Sequence, residues 1–313
     1  MARVFIDGQA GTTGLEIFER LSTRRDLQLL EIDPQQRKDV SARQELLQSA
    51  DVAILCLPDD AAREAVALAD GKSRILDAST AYRVADDWAY GLPELRDEQP
   101  EKLAAAQFVS NPGCYPQGFI LMTRPLIDAG ILSPNTPLRC HAVSGYSGGG
   151  RQMIERFRAI DAATAEAINS QDYALNLAHK HVPEMQHYSG TAVRPIFTPM
   201  VANYYKGMLV HVPLFRDQEL GGTAPAAVHE ALADRYAGQP FVRVLPYGST
   251  DMLDGGYLNP TAMNDSNNME LMVFGNDEQI LLVARYDNLG KGASGAAVQN
   301  LNIMLGMEPR AGL

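Results

Sequence analysis

The sequence predicts an α/β protein in which a doubly wound parallel sheet is followed by a second, α+β domain. Three observations support this fold class. Strand-like and helix-like segments alternate along the first third of the chain, a glycine-rich turn follows the first strand-like segment, and a series of strand-like segments occupies the region after residue 137. Alternation favours parallel strands with helices on both faces, whereas successive strands favour antiparallel pairing. A chain of 313 residues is long enough for two such domains.

The first third of the chain has the pattern of a dinucleotide-binding domain. Predicted strands cover residues 3–6, 27–32, 52–57 and 75–78, and predicted helices cover 16–21, 42–48 and 61–69. The first strand-to-helix turn has the spacing G-x-x-G-x-x-G, a variant of the Rossmann fingerprint. Such glycines permit a tight turn and let the backbone approach a pyrophosphate at the helix N-terminus. We therefore expect a dinucleotide to bind at Gly8, Gly11, Thr12, Thr13 and Gly14.

The ends of later strands supply two further candidates for cofactor contacts. Pro58 follows the third predicted strand and Ser79 follows the fourth. Both lie at the carboxyl edge where ligands bind in parallel sheets, although ordinary turn residues would give the same pattern.

The type of nicotinamide cofactor is open from these residues alone. Glu31 and Asp33, near the end of the second predicted strand, favour a hydrogen bond to the ribose 2′-hydroxyl of NAD. Arg37 and Lys38 follow a few residues later and favour an ion pair with the 2′-phosphate of NADP.

Residues 110–116, Ser-Asn-Pro-Gly-Cys-Tyr-Pro, close a predicted strand and precede a predicted helix at 119–127. Cys114 therefore stands at a helix N-terminus, where unpaired N–H groups and the helix dipole favour the thiolate over the thiol. A thiolate attacks carbonyl groups, so Cys114 is the candidate nucleophile; the alternative is a buried, inert cysteine. Cys56 and Cys140 lie in strand-like segments and are expected to pack in the core.

The rest of the chain predicts a mostly antiparallel sheet. Predicted strands cover 138–144, 196–205, 207–214, 241–245, 270–274 and 279–285, with a helix at 225–236. The glycine-rich stretch 144–151 is interpreted as a flexible loop in which the backbone N–H groups of the glycines and the side chain of Arg151 could hold an anion. A solvent-exposed linker is the alternative.

Residues 179–184, His-Lys-His-Val-Pro-Glu, concentrate the ionisable groups that a cysteine nucleophile needs. Histidine exchanges protons near neutral pH, and a carboxylate can orient its ring. A His-x-His pair also occurs in metal sites, but a thiolate enzyme needs no metal, and none is expected here. Further on, residues 286–302 open a small-residue helix that runs to Leu305, with Asn288 and Lys291 at its mouth. This helix could return to the first domain or could simply cover apolar surface.

Composition argues against two classes of partner. A formal net charge of −11 and an isoelectric point near 5.0 argue against nucleic acid, since phosphate neutralisation requires clustered Lys and Arg. No apolar run is long enough for a bilayer span, and the chain runs from Met1 directly into a strand, so we expect a cytoplasmic protein without membrane partners. Three cysteines are too few for a disulfide scaffold.

Four motifs distributed along nearly the whole chain point to one family. They are Asp-Gly-Gln-Ala-Gly-Thr-Thr-Gly at 7–14, Asn-Pro-Gly-Cys-Tyr-Pro at 111–116, His-Lys-His-Val-Pro-Glu at 179–184 and Asp-Asn-Leu-Gly-Lys-Gly at 287–292. Together they closely resemble the shorter variety of the N-acetyl-γ-glutamyl-phosphate reductase family of arginine biosynthesis. Gly113, Tyr115 and Pro116 around the cysteine distinguish the chain from aspartate-semialdehyde dehydrogenase and glyceraldehyde-3-phosphate dehydrogenase, which belong to the same superfamily.

The resemblance implies NADP(H) as cofactor and a small acyl phosphate, N-acetyl-γ-glutamyl phosphate, as substrate. It implies an NADP-binding Rossmann domain at 1–113, completed by a C-terminal helix at 290–313, and an α+β substrate and oligomerisation domain at 114–289. A homodimer or homotetramer is expected.

The implied mechanism passes through a thioester on Cys114, with His181 moving the proton and Glu184 orienting its ring. Expected cofactor contacts are Gly8, Gly11, Thr12, Thr13, Gly14, Arg37, Lys38, Pro58, Ser79, Asn288 and Gly290. Expected substrate contacts are Asn111, Arg83, Ser147, Arg151 and His179.

Three alternatives accompany this reading. A homologous acyl phosphate, such as the aspartyl or aminoadipyl one, could be the substrate. A cysteine phosphatase requires an arginine six residues after the cysteine, where Ile120 stands, so that alternative is weak. A non-enzymatic NADP-binding sensor would use the glycine turn and leave Cys114 incidental.

Overall fold

The computed structural model describes residues 1–160 and 168–313. The chain divides into two compact units, one comprising Met1–Gly113 with Ala293–Leu313 and the other comprising Cys114–Gly292. A parallel α/β sheet in the first unit and a mixed, mostly antiparallel sheet in the second confirm the predicted fold class.

The first unit is built on a six-stranded sheet whose neighbouring strands are all parallel. In chain order the strands are β1 (Ala2–Asp7), β2 (Leu27–Leu30), β3 (Val52–Leu55), β4 (Arg74–Asp77), β5 (Ala89–Tyr90) and β6 (Phe108–Ser110). Across the sheet they run β2-β1-β3-β4-β6-β5. Strands are thus added on opposite sides of β1, which creates the switch point where open α/β sheets bind ligands.

Helices cover both faces of this sheet. They are Thr12–Ser22, Val40–Ser49, Asp59–Ala69, Gln99–Ala105 and Gly295–Met304, with a 3₁₀ turn at Pro93–Leu95. Because side chains alternate along a strand, Val4 packs with Ile17 and Val298 on one face, while Phe5 packs with Leu47 on the other. The doubly wound prediction is therefore confirmed.

The second unit contains a seven-stranded sheet and a separate two-stranded hairpin. The strands of the sheet are β7 (Arg139–Gly145), β8 (Ser170–Asp172), β9 (Ile196–Ala202), β10 (Met208–Phe215), β11 (Val242–Val244), β14 (Met269–Gly275) and β15 (Gln279–Tyr286), and those of the hairpin are β12 (Leu253–Asp254) and β13 (Tyr257–Leu258). Across the sheet the order is β11-β14-β15-β10-β7-β9-β8. Neighbours are antiparallel except for β11 with β14 and β7 with β9.

Helices in the described part of the second unit are Cys114–Asp128, Gly150–Arg158, Val182–Ser189, Arg216–Glu219 and Pro225–Arg235. The Cys114–Asp128 helix is buried along most of its length and contacts both the Val182–Ser189 helix and β15. This packing fixes the helix that begins at the candidate nucleophile. After β15, a π-helical turn at Gly290–Ser294 leads into the C-terminal helix Gly295–Met304.

The expectation of a flexible loop at 144–151 is wrong. The segment forms the end of β7, a 3₁₀ turn at Tyr146–Gly149 and the start of the Gly150–Arg158 helix. Backbone hydrogen bonds to residues 204–207 hold the turn, and the ring of Tyr146 stacks on Phe157 with centroids 4.9 Å apart. Because these partners are distant in sequence, the glycines of the segment suggested a flexible backbone, whereas the folded chain holds it in a defined conformation.

Candidate active site

Several of the predicted cofactor and substrate residues of the first unit meet at one edge of its sheet. The strand register aligns the last residues of β1, β3, β4 and β6 in one row. The glycine turn, Pro58, Ser79 and Asn111 follow these strand ends. The structure therefore collects these predicted contacts where parallel sheets bind ligands.

The three glycines of the first turn have different structural roles. Gly8 has a φ of 89°, and a Cβ on it would overlap the carbonyl oxygen of Cys56. A Cβ on Gly14 would lie 2.5 Å from the carbonyl oxygen of Gly8. Gly11 is the N-cap of the Thr12–Ser22 helix, and a Cβ there would meet nothing closer than that same oxygen at 3.4 Å. Gly8 and Gly14 are thus needed for the backbone conformation of the turn. The missing side chain at Gly11 instead leaves space beside the helix N-terminus.

This turn fits a dinucleotide pyrophosphate. The N-cap of the Thr12–Ser22 helix, Gly11, makes no side-chain capping hydrogen bond, and the first turn of the helix contains no acidic residue. The N–H groups of Thr12 and Thr13 belong to that first turn, where the helix dipole favours an anion.

A cleft of about 410 Å³ adjoins the glycine turn and contains the predicted 2′-phosphate residues. Arg37 and Lys38 line it together with Arg43. Glu31 and Asp33 are exposed and lie outside the set of lining residues. The structure thus places the cations, rather than the two carboxylates, at the cleft.

Arg43 is a residue that sequence reasoning missed. It is buried on the Val40–Ser49 helix, and its guanidinium donates two hydrogen bonds, of 2.9 and 3.2 Å, to one carboxylate oxygen of Asp7. It also pairs with Glu64 at 3.3 Å. Arg43 thereby offsets the negative charge at the end of β1. Its spacing of four residues from Leu47 on the buried helix face was the available signal.

Ser79 faces the interior of the first unit. Its hydroxyl donates to Asp77 at 2.6 Å and accepts the N–H of Ala81 at 3.1 Å. Burial raises the pKa of Asp77 to about 6, although hydrogen bonds from Ser79 and the charge of Arg83 act in the opposite direction. Ser79 therefore fixes the turn after β4, and its contact with the cofactor stays a prediction.

Asn111 and Arg83 hold the segment that leads to Cys114. The Asn111 amide donates to the carbonyl of Ala293 at 3.1 Å and accepts from Asn300 at 3.0 Å. Arg83 is buried, and its Nε donates to the carbonyl oxygen of Asn111 at 3.1 Å. These bonds make the approach to the candidate nucleophile rigid.

In the second unit, Cys114 begins the Cys114–Asp128 helix and its side chain is half-buried. The hydroxyl of Tyr286 donates to the carbonyl oxygen of Cys114 at 2.6 Å. A Cβ on Gly292 would lie 3.1 Å from the Cβ of Cys114. The residues after β15 thus pack closely against the first turn of this helix.

The two predicted histidines lie in a cluster of aromatic rings beside Cys114. The ring centroids of His179 and His181 are 4.6 Å apart, and Tyr115 is 6.1 and 5.9 Å from them. The hydroxyl of Tyr173 donates to that of Tyr115 at 3.1 Å. Burial raises the pKa of both tyrosines, and the neighbouring Cys114 adds to the shift. The thiol is therefore within electrostatic reach of both hydroxyls.

His181 and Glu184 share the first turn of the Val182–Ser189 helix. His181 is its N-cap, Glu184 stands three residues later, and both are buried. The backbone N–H of His181 donates to Nδ1 of His179 at 3.1 Å. The structure thus brings the predicted acid–base residues onto one turn and ties the two histidines together.

Ser147 and Asn288 are directly hydrogen-bonded. The Asn288 amide nitrogen donates to the Ser147 hydroxyl at 2.9 Å, and its oxygen accepts the N–H of Gly207 at 2.8 Å. A Cβ on Gly290 would overlap the carbonyl oxygen of Ser266, so close backbone packing accounts for that glycine. Arg151, by contrast, is 78% exposed on its own helix, where it pairs with Glu155 at 2.7 Å.

The described residues contain neither a metal-binding cluster nor a membrane-spanning helix. No group of three or more His, Cys, Asp or Glu side chains in ranges 1–160 and 168–313 is arranged to hold a metal ion. No helix in the same ranges is long and apolar enough to cross a membrane.

Comparison with protein families divides the chain near Cys114. Residues 3–103 match the semialdehyde dehydrogenase NAD-binding domain, and residues 114–288 match the semialdehyde dehydrogenase dimerisation domain. The first match supports a nicotinamide cofactor, and the second supports oligomerisation.

Solved structures share the fold at low sequence identity. Aspartate semialdehyde dehydrogenase II from Vibrio cholerae, complexed with ASA, has a TM-score of 0.71 at 15% identity, covering 97% of this chain and 98% of its own. The enzyme from Francisella tularensis has a TM-score of 0.73 at 14% identity, covering 97% and 100%.

Curated relatives are much closer in sequence. N-acetyl-gamma-glutamyl-phosphate reductase 2 of Nostoc sp. is 51% identical over 318 residues, covering 99% of both chains. N-acetyl-gamma-glutamyl-phosphate reductase of Brucella ovis is 48% identical over 308 residues, covering 97% of this chain and 99% of its own. At this identity over nearly the full length, the chain belongs to the N-acetyl-γ-glutamyl-phosphate reductase family of oxidoreductases.

Proposed function

We propose that this protein reduces N-acetyl-γ-glutamyl phosphate to N-acetylglutamate semialdehyde and phosphate with NADPH, a step of arginine biosynthesis. The observation that carries the proposal is Cys114 at the start of a helix whose next residue, Tyr115, contacts both His179 and His181. A thiol beside proton-exchanging groups is what thioester chemistry requires. The substrate is assigned from the names of relatives that are 48–51% identical to the chain.

Cys114 carries the first step. Its Sγ transfers a proton to His181 and attacks the acyl carbon of the substrate. The S–C bond forms, the C–O bond to phosphate breaks, and phosphate leaves with the bonding electron pair, so that a thioester remains. The N-terminus of the Cys114–Asp128 helix favours the thiolate that attacks.

The first unit binds the cofactor at the glycine turn and the adjoining cleft. The N–H groups of Thr12 and Thr13 hold the pyrophosphate, and Arg37 and Lys38 hold the 2′-phosphate of NADP. When bound, the nicotinamide supplies the hydride that reduces the thioester carbon. NADP is preferred to NAD because cations line the cleft, and because Arg43 already offsets the charge of Asp7.

The final step is assigned to His181 rather than His179. Nδ1 of His179 accepts the backbone N–H of His181, so His179 would meet the substrate through Nε2. His179 is therefore a hydrogen-bond donor to substrate oxygen. His181, whose ring we assign the buried Glu184 on the same turn to orient, stabilises the thiohemiacetal alkoxide and returns the proton that it took from Cys114 to the thiolate when the aldehyde leaves.

Four further residues are assigned to substrate binding. Arg83, Asn111, Ser147 and Arg151 are assigned to the anionic and polar groups of the substrate, in line with the family resemblance. A homodimer or homotetramer is supported by the match of residues 114–288 to a dimerisation domain.

The decisive experiment is the reverse reaction, phosphate-dependent reduction of NADP by N-acetylglutamate semialdehyde. Cys114→Ser is expected to abolish turnover and to retain fold and cofactor affinity, because an alcohol is far less acidic than a thiol. Cys56→Ser and Cys140→Ser are the matched controls. Burial raises the pKa of Cys56 to about 12 and that of Cys140 still further, so neither group is a thiolate near neutral pH. Both control variants should therefore keep the reductase activity.

Two results would contradict the proposal. Near-normal turnover by Cys114→Ser would show that Cys114 is not the nucleophile. Faster reduction of NADP with aspartate semialdehyde, or with the one-carbon homologue of N-acetylglutamate semialdehyde, would show that the substrate assignment is wrong.

A further inference from the structure

The hydroxyl of Tyr286 bridges the first turn of the helix that carries Cys114. It donates to the carbonyl oxygen of Cys114 at 2.6 Å and accepts the N–H of Gly118 at 3.2 Å. Cys114 and Gly118 are four residues apart, so these are the two groups that an α-helix joins directly. The phenol therefore adds a second link across the turn on which the thiol stands.

Gly118 makes room for this contact. A Cβ at that position would lie 2.9 Å from the Tyr286 hydroxyl, 3.0 Å from its Cε1 and 3.0 Å from the Cβ of Ala284. Glycine weakens a helix interior relative to alanine. The close approach of Tyr286 gives a physical reason for a glycine one turn into a buried helix made mostly of large residues.

Tyr286 is held in one place and stays protonated. It is the last residue of β15 and is fully buried. Burial raises its pKa well above the ordinary tyrosine value, and the nearby Cys114 acts in the same direction. The hydroxyl therefore remains a hydrogen-bond donor throughout the pH range in which a thiol ionises.

We propose that Tyr286 is a positioning residue that sets the reactivity of Cys114 by fixing the first turn of its helix. Two effects act together. The hydrogen bond draws charge from the Cys114 carbonyl, which would otherwise repel a thiolate on the same residue, and the fixed turn keeps the helix N–H groups aligned toward the sulfur. The inference rests on the proposed function only in that Cys114 is the nucleophile.

The test is the rate of alkylation of Cys114 by iodoacetamide as a function of pH, followed by mass spectrometry of the Cys114 peptide. Tyr286→Phe is expected to slow alkylation at neutral pH by roughly 3- to 10-fold, the scale of one lost hydrogen bond. It should also move the profile to higher pH. In turnover assays, kcat should fall by a similar factor while KM is unchanged.

Tyr236→Phe is a matched control, because Tyr236 makes the same kind of bond to the same helix from outside it. The hydroxyl of Tyr236 donates to the carbonyl oxygen of Leu121 at 2.7 Å, about two turns beyond Cys114, and Tyr236 is also buried. Its removal takes away the same kind of bond at a distance from the thiol. The alkylation profile of Tyr236→Phe should match that of the unmodified protein.

An unchanged profile in Tyr286→Phe, or an equal shift in Tyr236→Phe, would leave Tyr286 a purely structural role and overturn the proposal. If Tyr286→Phe does not fold, Gly118→Ala displaces the same hydroxyl from the helix side and should produce the same shift. If neither variant folds, the contact serves the fold and the proposal is wrong. Alkylation needs neither substrate nor cofactor, so a shifted profile would stand even if the proposed reductase activity failed.

Discussion

Replacing Gly11 with alanine should separate cofactor binding from folding. Gly11 has a φ of −77°, which alanine adopts freely, and the new Cβ would meet only one backbone oxygen, at 3.4 Å. Alanine is a poorer N-cap than glycine by up to about 1 kcal/mol, and the smaller entropy of its unfolded chain returns about 0.4–1 kcal/mol. The free energy of unfolding should therefore change by less than about 1 kcal/mol.

The same methyl group would stand where a pyrophosphate must approach the first N–H groups of the Thr12–Ser22 helix. We expect the dissociation constant for NADPH to rise at least about tenfold, or about 1.4 kcal/mol. Urea unfolding measures the stability, and quenching of protein or NADPH fluorescence measures the affinity.

Gly14→Ala is the control for this experiment. Its Cβ would lie 2.5 Å from the carbonyl oxygen of Gly8 and 2.9 Å from the Cα of Gln9, so the turn itself must move. Overpacking of about 1–3 kcal/mol equals or exceeds the roughly 1 kcal/mol that alanine adds to a helix interior, so Gly14→Ala should lower the free energy of unfolding by up to about 2 kcal/mol. Unchanged NADPH affinity in Gly11→Ala, or destabilisation as large as in Gly14→Ala, would refute the reasoning.

Three further predictions follow from the site. Replacing Arg37 and Lys38 with alanine should narrow the preference for NADPH over NADH, measured as the ratio of kcat/KM values; equal use of both cofactors by the unmodified protein would contradict the 2′-phosphate assignment. His181→Asn should slow turnover by roughly 10²–10⁴-fold, whereas His179→Asn, whose Oδ1 can still accept the His181 N–H, should lose less; the reverse order in single-turnover rates would exchange their roles. The carboxyl of Asp77 has a folded-state pKa of about 6 against 3.8 normally, so its contribution to stability is present below about pH 4 and is lost as the pH rises through 6. Asp77→Asn should remove this dependence, on the order of 3 kcal/mol at most, in unfolding measured across that pH range; an unchanged slope would show that Asp77 is not its source.

The fold was largely predictable because its signals are local. Strands buried on both faces, such as Val52–Leu55, read as continuous apolar runs, and the helices between them begin and end within a few residues of their predicted positions. The two-residue strand Ala89–Tyr90 gave no periodic signal, since it is too short for one. The 3₁₀ turn at Tyr146–Gly149 was missed for another reason, because its backbone partners lie about 60 residues later.

The candidate site was predictable where its functional residues form short local motifs. Cys114 stands at the start of a helix as the motif indicated, and the His-x-His segment gave the acid–base candidates. The supporting residues carried no such signal. Tyr286 lies 172 residues from Cys114, and Arg43 lies 36 residues from Asp7, so only the folded chain shows what they bind.

Asn288 and Ser147 show how tertiary contacts can refine roles that a sequence assigns separately. The oxygen of the Asn288 amide accepts the N–H of Gly207, which fixes the orientation of the amide and turns its nitrogen toward Ser147. The Ser147 oxygen thus accepts one bond from Asn288, and its own hydrogen is left as the donor that the hydroxyl can offer. A serine held in this way can donate its hydrogen to an anionic or carbonyl oxygen. The substrate role predicted for Ser147 and the buried amide of Asn288 are therefore two parts of one hydrogen-bonded unit.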